Sequence, residues 1–315
     1  MAGWRHRKRA EPARGWCFSR ARLEPWGVKL HSLLIWPFFL LPRVVSGEAP
    51  SPSAQARHPA SGQPSGFPTA RFRFDAGAPL VAPAGVAPDG TICVGTADGY
   101  IHLLGADGSY RWSYSVHGAV LRRPLFAGQL WYIATSASRI YALTRGGSLY
   151  WVFKPPSPVD SELALDSSGL LFFVAADRFL YGVTGHGGVS VRAQLGEAKA
   201  GPSTGPDGAV WAENQAGNLL RVHGQELRRF PPEATAEFDF GSAEAVRDPE
   251  GRLWRVRDRG VLELRAAVGA EPTLTELTDA PLLSPAWSSV ARYAVVSARN
   301  GLVIAVEPPR SLKPR

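Results

Sequence analysis

Six short apolar tetrads recur along this chain at a spacing that leaves few folds open. IHLL (101–104), IYAL (140–143), LYGV (180–183), LLRV (219–222), VLEL (261–264) and VIAV (303–306) begin 39, 40, 39, 42 and 42 residues apart. A turn-forming pair precedes each: Asp98-Gly99, Ser138-Arg139, Asp177-Arg178, Gly217-Asn218, Arg259-Gly260 and Asn300-Gly301. Further upstream lies a second turn, at Asp89-Gly90, Gly128, Gly169, Asp207-Gly208 and Glu250-Gly251, with Ala291-Arg292 as a weaker match in the sixth unit. Asp-Gly suits a two-residue hairpin because its central residues need positive φ. Each unit therefore reads as four short strands joined by tight turns. One such meander cannot bury both faces of its sheet, whereas a ring of them can, each packing on its neighbours. A period of about 40 with four strands per unit predicts an all-β propeller of antiparallel blades.

The two ends of the repeat predict how the ring closes. The sixth unit stops near Val306 after three strands, while RFRF (71–74) and the DAGAPLVAP that follows match RWSYSVHGAVLRRP (111–124), the fourth strand and crossover of the first unit. The N-terminal strand is thus expected to complete the last blade and leave no open ring edge. Counting gives six blades, with seven as the alternative.

DGTICVGTADGYIHLLGADGSYRW (89–112) and QLWYIATSASRIYALTRGGSLYW (129–151) resemble the PQQ-like β-propeller repeat family. That family includes quinoprotein alcohol dehydrogenases and the propeller lipoprotein of the outer-membrane assembly machine. Its pattern, an apolar strand ending Ala-Leu followed by Gly-x-x-x-Trp, is clear at Tyr141-Ala142-Leu143, Gly147 and Trp151. It fades in later units, where Arg192 and Arg229 are read as replacing the strand-four Trp. The resemblance implies a fold more than a function. The quinoprotein enzymes have eight blades, stack the quinone on a disulfide of adjacent cysteines and hold Ca²⁺ with acidic and amide groups. This chain has no Cys-Cys pair and room for six blades, so the expectation is a non-enzymatic branch with neither PQQ nor Ca²⁺.

Charge is concentrated at the N-terminus. Residues 1–47 hold nine Lys/Arg against two acids, so most of the formal +8 lies there, and the remainder is close to neutral. That body offers no net charge with which to release phosphate counterions, so no nucleic-acid partner is expected. LLIWPFFLL (33–41), nine apolar residues, is too short for a membrane-spanning helix, which needs about 20, and has the size of a signal h-region preceded by positive charge. The domain reading is a signal peptide over 1–47, a Pro/Ser/Ala-rich linker over 48–69, the propeller over 70–309 and a basic tail over 310–315. The expected location is exported, periplasmic or extracellular, with membrane contact only through the signal segment if it is uncleaved. The mature chain would keep one cysteine, Cys93, in the strand-like TICVGT, where a buried thiol is expected.

Searches for reactive constellations return little. The histidines at 58, 102, 117, 186 and 223 are scattered singly, without metal-ligand spacing. No Asp-x-Asp-x-Asp-Gly loop, Gly-x-Ser-x-Gly elbow or Gly-Lys-Ser/Thr loop occurs. The propeller geometry supplies the site candidates instead. Residues entering each innermost strand should ring the channel mouth, and alignment places Pro83, Arg123, Glu162, Gly201, Glu244 and Pro285 there, with Arg122 and Asp160 beside them. Loops on a rigid ring are where function is carried. Arg122, Arg123, Asp160, Glu162 and Glu244 are therefore candidate interaction residues, with no catalytic, cofactor or metal residue assigned. The leading reading is an exported, non-catalytic protein-interaction platform. The alternatives are a small-ligand or quinone binder at the channel mouth and a carbohydrate binder.

Overall fold

The computed structural model describes residues 68–232, 245–257, 260–266 and 270–309. The leader, nearly all of the linker, the basic tail and Glu244 lie outside the described residues.

The chain opens with β1 (Thr69–Asp75) and then runs through six sheets. Blade 1 is β2 (Gly85–Val86), β3 (Ile92–Gly95), β4 (Tyr100–Leu104) and β5 (Tyr110–Ser115). Blade 2 is β6 (Leu125–Ala127), β7 (Leu130–Thr135), β8 (Arg139–Thr144) and β9 (Leu149–Phe153). Blade 3 is β10 (Ala164–Leu165), β11 (Leu171–Val174), β12 (Phe179–Val183) and β13 (Val189–Gln194). Blade 4 is β14 (Ala198–Thr204), β15 (Val210–Asn214), β16 (Leu219–His223) and β17 (Glu226–Phe230). Blade 5 is β18 (Ala245–Arg247), β19 (Leu253–Arg257), β20 (Val261–Arg265) and β21 (Thr273–Glu276). Blade 6 takes β22 (Ala286–Ser288), β23 (Tyr293–Ser297) and β24 (Leu302–Glu307), and β1 pairs antiparallel with β24 as its outermost strand. The described residues thus form six four-stranded antiparallel blades, closed by the N-terminal strand.

Period-two alternation explains where the core sits. Trp131 and Ile133 face blade 1, while Tyr132 and Ala134, the residues between and after them, face blade 3. Both faces are apolar, so the seams of blades 6 and 1, 1 and 2, 2 and 3, 3 and 4, and 5 and 6 become small cores. Phe72, Phe74, Tyr293 and Val295 of blade 6 pack on Leu80, Ile92 and Leu104 of blade 1. Burying the two Phe rings contributes about 1.5–3 kcal/mol each, and this is what fixes β1 in the ring.

Turn chemistry matches the repeat. Gly90, Gly99 and Gly108 of blade 1 have φ of 84°, 88° and 83°. Where the repeat lacks glycine the backbone still adopts the left-handed conformation, at Ser138, Arg178 and Arg292 with φ of 52°, 70° and 56°. The Ala291-Arg292 turn is therefore built like the other turns, at some cost in strain for a residue with a Cβ.

One register differs from the expectation. Leu103 pairs with Trp112, Ala142 with Trp151, Gly182 with Val191 and Arg221 with Arg228. Val191 and Arg228, not Arg192 and Arg229, thus occupy the Trp position. Arg192 and Arg229 are one residue on, which turns their side chains to the other face.

Candidate functional site

The crossovers between blades are pinned in a repeated way. Isolated bridges join Leu80 to Thr96, Val120 to Thr135, Val159 to Ala175 and Leu282 to Ala298. Each fastens a crossover to the hairpin turn of its own blade or of the next, so the residues that follow enter the innermost strand at a fixed place. Pro83, Arg123, Glu162 and Pro285 stand just before β2, β6, β10 and β22. Gly201 does not: it lies within β14, whose pairing with β15 is irregular between Ala200 and Ser203. Glu244 lies outside the described residues.

Four of the candidates meet. The backbone N–H of Arg123 donates to Glu162 Oε2 at 3.1 Å. The Arg123 guanidinium does not turn to that carboxylate but reaches past blade 1 to the entrance of blade 6. There Nη2 donates to the carbonyl oxygens of Pro285 at 3.2 Å and Ser284 at 3.4 Å. The contact between Arg123 and Glu162 therefore runs through the main chain, and the side chain serves as a strut across the mouth. Arg122 pairs with Asp160 at 3.7 Å, and its Nε is buried without a hydrogen-bond partner. Ser161 Oγ accepts from the Val174 N–H and donates to the Glu162 carbonyl, both at 2.8 Å, which holds the short segment carrying Asp160 and Glu162.

Electrostatics fit a narrow mouth. Glu162 has open surface, yet blades crowd it from the sides. That burial raises its carboxyl pKa, against the opposing pull of the Arg123 N–H and the Arg122 and Arg123 charges. Burial likewise lowers the Arg123 pKa, with Glu162 countering. Asp160, with its side chain 68% exposed, is the open end of the group. A cavity of about 760 Å³ adjoins the mouth, bounded by Pro83, Leu283 and Ser284 and by Arg255 and Arg257 of β19. Arg257 is held at 2.5 Å by Glu263, a buried carboxylate that Arg265 also contacts. Sequence reasoning missed Arg255 and Arg257. Their signal was alternation in LWRVR, which puts both on the face opposite buried Trp254.

This arrangement offers fixed charges, carbonyls and an open carboxylate to a polar partner. The Ser161 hydroxyl is committed to backbone groups. Cys93 is a free thiol buried in the seam of blades 1 and 2, its pKa pushed far up by burial. No group of three or more His, Cys, Asp or Glu among the described residues could hold a metal ion.

Comparisons agree with the architecture. The family model described as outer membrane protein assembly factor BamB matches residues 56–218, just over half of the 315. A search of curated proteins finds no match. Among solved structures, the Pan2 WD40 domain of Neurospora crassa superposes with a TM-score of 0.55 at 11% identity, covering 78% of this chain and 98% of that one. BamB from Moraxella catarrhalis gives a TM-score of 0.36 at 12% identity, covering 78% and 94%. The first of these is a likeness of fold.

Proposed function

Because the chain belongs to the family of the outer membrane protein assembly factor BamB, we propose that its ring is an exported, non-catalytic platform for a protein partner. The observation that carries this reading is the mouth, where Arg122, Arg123, Asp160 and Glu162 from two neighbouring blades converge on a rigid frame. The Arg123 strut directs its Nη2 to the carbonyls of Ser284 and Pro285, so it shapes the mouth. The open Asp160 carboxylate and the adjoining cavity are offered to a partner. An exposed pair contributes at most about 1 kcal/mol to folding.

The test is site-specific photo-crosslinking in the native host. A crosslinker at position 160 should trap a defined protein, and one at position 226 on the outer edge of blade 4 should not. Charge reversal by Arg122→Asp should abolish the product without changing the melting temperature. Equal trapping from both positions would refute the mouth as the interface. Recovery of the mature chain from the cytosol alone, with an N-terminus upstream of Glu48, would refute export.

A further inference from the structure

The rim opposite the mouth carries a second concavity, of about 600 Å³, between blades 2 and 3. Its walls are Tyr132, Tyr150 and His186. Gly128, Gly169 and Gly185 line it with open space where a Cβ would stand. That volume lies within the ~300–1,000 Å³ of small-ligand sites.

Three features define what it could hold. Tyr132 is only 4% exposed and its ring packs against Trp151 at 5.7 Å, yet it lines the cavity and its hydroxyl bonds to no other described residue. The side chain lines the cavity, so that hydroxyl can meet a partner from outside the chain. Tyr150 is 50% exposed, and its hydroxyl shares a 3.1 Å hydrogen bond with His186 Nδ1, so an aromatic face and an ambivalent donor-acceptor pair sit side by side. Arg145, the one cation in the lining, is engaged by Asp89 and lies over the Phe126 ring, its guanidinium carbon 5.2 Å from the centroid. The cleft therefore offers no uncompensated charge to an anion. Neighbouring residues extend its apolar character. The edge strand β9 carries exposed Leu149, Tyr150 and Val152 and no charged residue, whereas β1, β5, β13, β17 and β21 all carry Arg or acidic side chains.

We propose that this cleft between blades 2 and 3 binds a neutral saccharide ring, seated on Tyr150 and hydrogen-bonded by the Tyr132 hydroxyl and His186. A pyranose presents a C–H face that packs on an aromatic ring, and its hydroxyls both donate and accept. Tyrosine hydroxyls and an imidazole meet that requirement, and a fixed cation would not. The site is separate from the mouth and does not depend on the platform reading.

The test is calorimetric titration of the full chain with cellotriose, maltotriose and tri-N-acetylchitotriose, and with hexaglutamate as the charged counter-probe. At least one trisaccharide should bind saturably. Tyr132→Phe, which removes one hydroxyl and keeps the ring, should weaken binding roughly fivefold. Tyr150→Ala, at an exposed position, should weaken it about tenfold or more. Arg122→Asp at the far rim should change nothing. Absence of saturable binding to all three sugars, binding indifferent to both tyrosine variants, or preferential binding of hexaglutamate at Tyr150 would overturn the proposal.

Discussion

The seam between blades 2 and 3 and the seam between blades 3 and 4 join the same kind of sheets with different chemistry. In the first, the Trp151 ring lies over Gly187, where a Cβ would come within 3.2 Å of it, and Trp151 Nε1 donates to the Gly185 carbonyl at 2.8 Å. The two preceding seams repeat the device. Trp112 covers Gly147 and donates to the Arg145 carbonyl at 2.8 Å. Phe72 covers Gly108, and Tyr293 supplies the donor, at 2.5 Å to the Ala106 carbonyl. In each case a glycine at φ of 83–84° lets the ring approach the turn. At blades 3 and 4 the position belongs to Val191, and Gly224 in the turn before β17 has nothing within 4 Å. Polar contacts take over: Ser167 with His223 at 2.9 Å, the Gly224 N–H to Asp166 at 2.7 Å, and Arg229 to the Gln194 carbonyl at 2.9 Å. An indole covers area and donates one directed bond at once, while an aliphatic side chain such as Val191 covers less and leaves the hydrogen bonding to other groups. A propeller can thus keep an apolar core at both seams while the contact at the fourth-strand turn changes from an indole to polar groups.

The largest effect should come from removing the closure on which both seams depend. Deleting residues 69–75 strips Phe72 and Phe74 from the core shared by blades 6 and 1. The loss is comparable with the ~5–15 kcal/mol net stability of a domain, so the chain should not give a cooperative thermal transition. Deleting residues 48–63 should leave the melting temperature unchanged. Next, Trp151→Ala should cost about 3 kcal/mol in urea unfolding, a Trp truncation with loss of its hydrogen bond. A value below that of His223→Ala would reverse the ranking of the two seams.

Acid should separate them further. Burial raises the Asp166 pKa. The Ser168 hydroxyl and the N–H groups of Gly224, Leu170 and Ser168 outweigh that and hold the carboxyl below its ordinary value of 3.8. A depressed folded pKa gives stability that is present above the unfolded value and is lost as pH falls through the folded one. Stability should therefore drop as pH is lowered below about 4. Asp166→Asn, measured by urea unfolding at several pH values, should flatten that part of the profile. His223→Ala should have the smallest effect, about 1 kcal/mol or less, because it removes one exposed hydrogen bond.

Much of this was legible in the sequence because turns and apolar tetrads are local signals. The Asp-Gly pairs, the 39–42 residue spacing and the RFRF match led to the blades and the closing strand. In blade 3 the register of the fourth strand was misread because a bulge follows the turn, between Gly182 and Val183, as it does in blades 1 and 2; blade 4 pairs β16 with β17 without one, through a tighter turn. A bulge changes facing without changing composition. The corrective signal was present: Gly108, Gly147, Gly187 and Gly224 stand four residues before Trp112, Trp151, Val191 and Arg228. At the mouth, the loop positions of Arg122, Arg123, Asp160 and Glu162 could be counted. That the Arg123 side chain would reach carbonyls 161 and 162 residues away could not, since it depends on three-dimensional closure. The Tyr132–Tyr150–His186 cleft was equally hidden, because its walls come from two blades and its openness from glycines that read only as turns.

The unequal seams are tested most directly by native-state hydrogen exchange resolved by peptide. Amides of Arg139–Thr144 and Leu149–Phe153 in blade 2 should exchange more slowly than those of Leu219–His223 and Glu226–Phe230 in blade 4, and Trp151→Ala should abolish the difference. Equal protection of the two blades in the unsubstituted protein, or faster exchange in blade 2, would contradict the account.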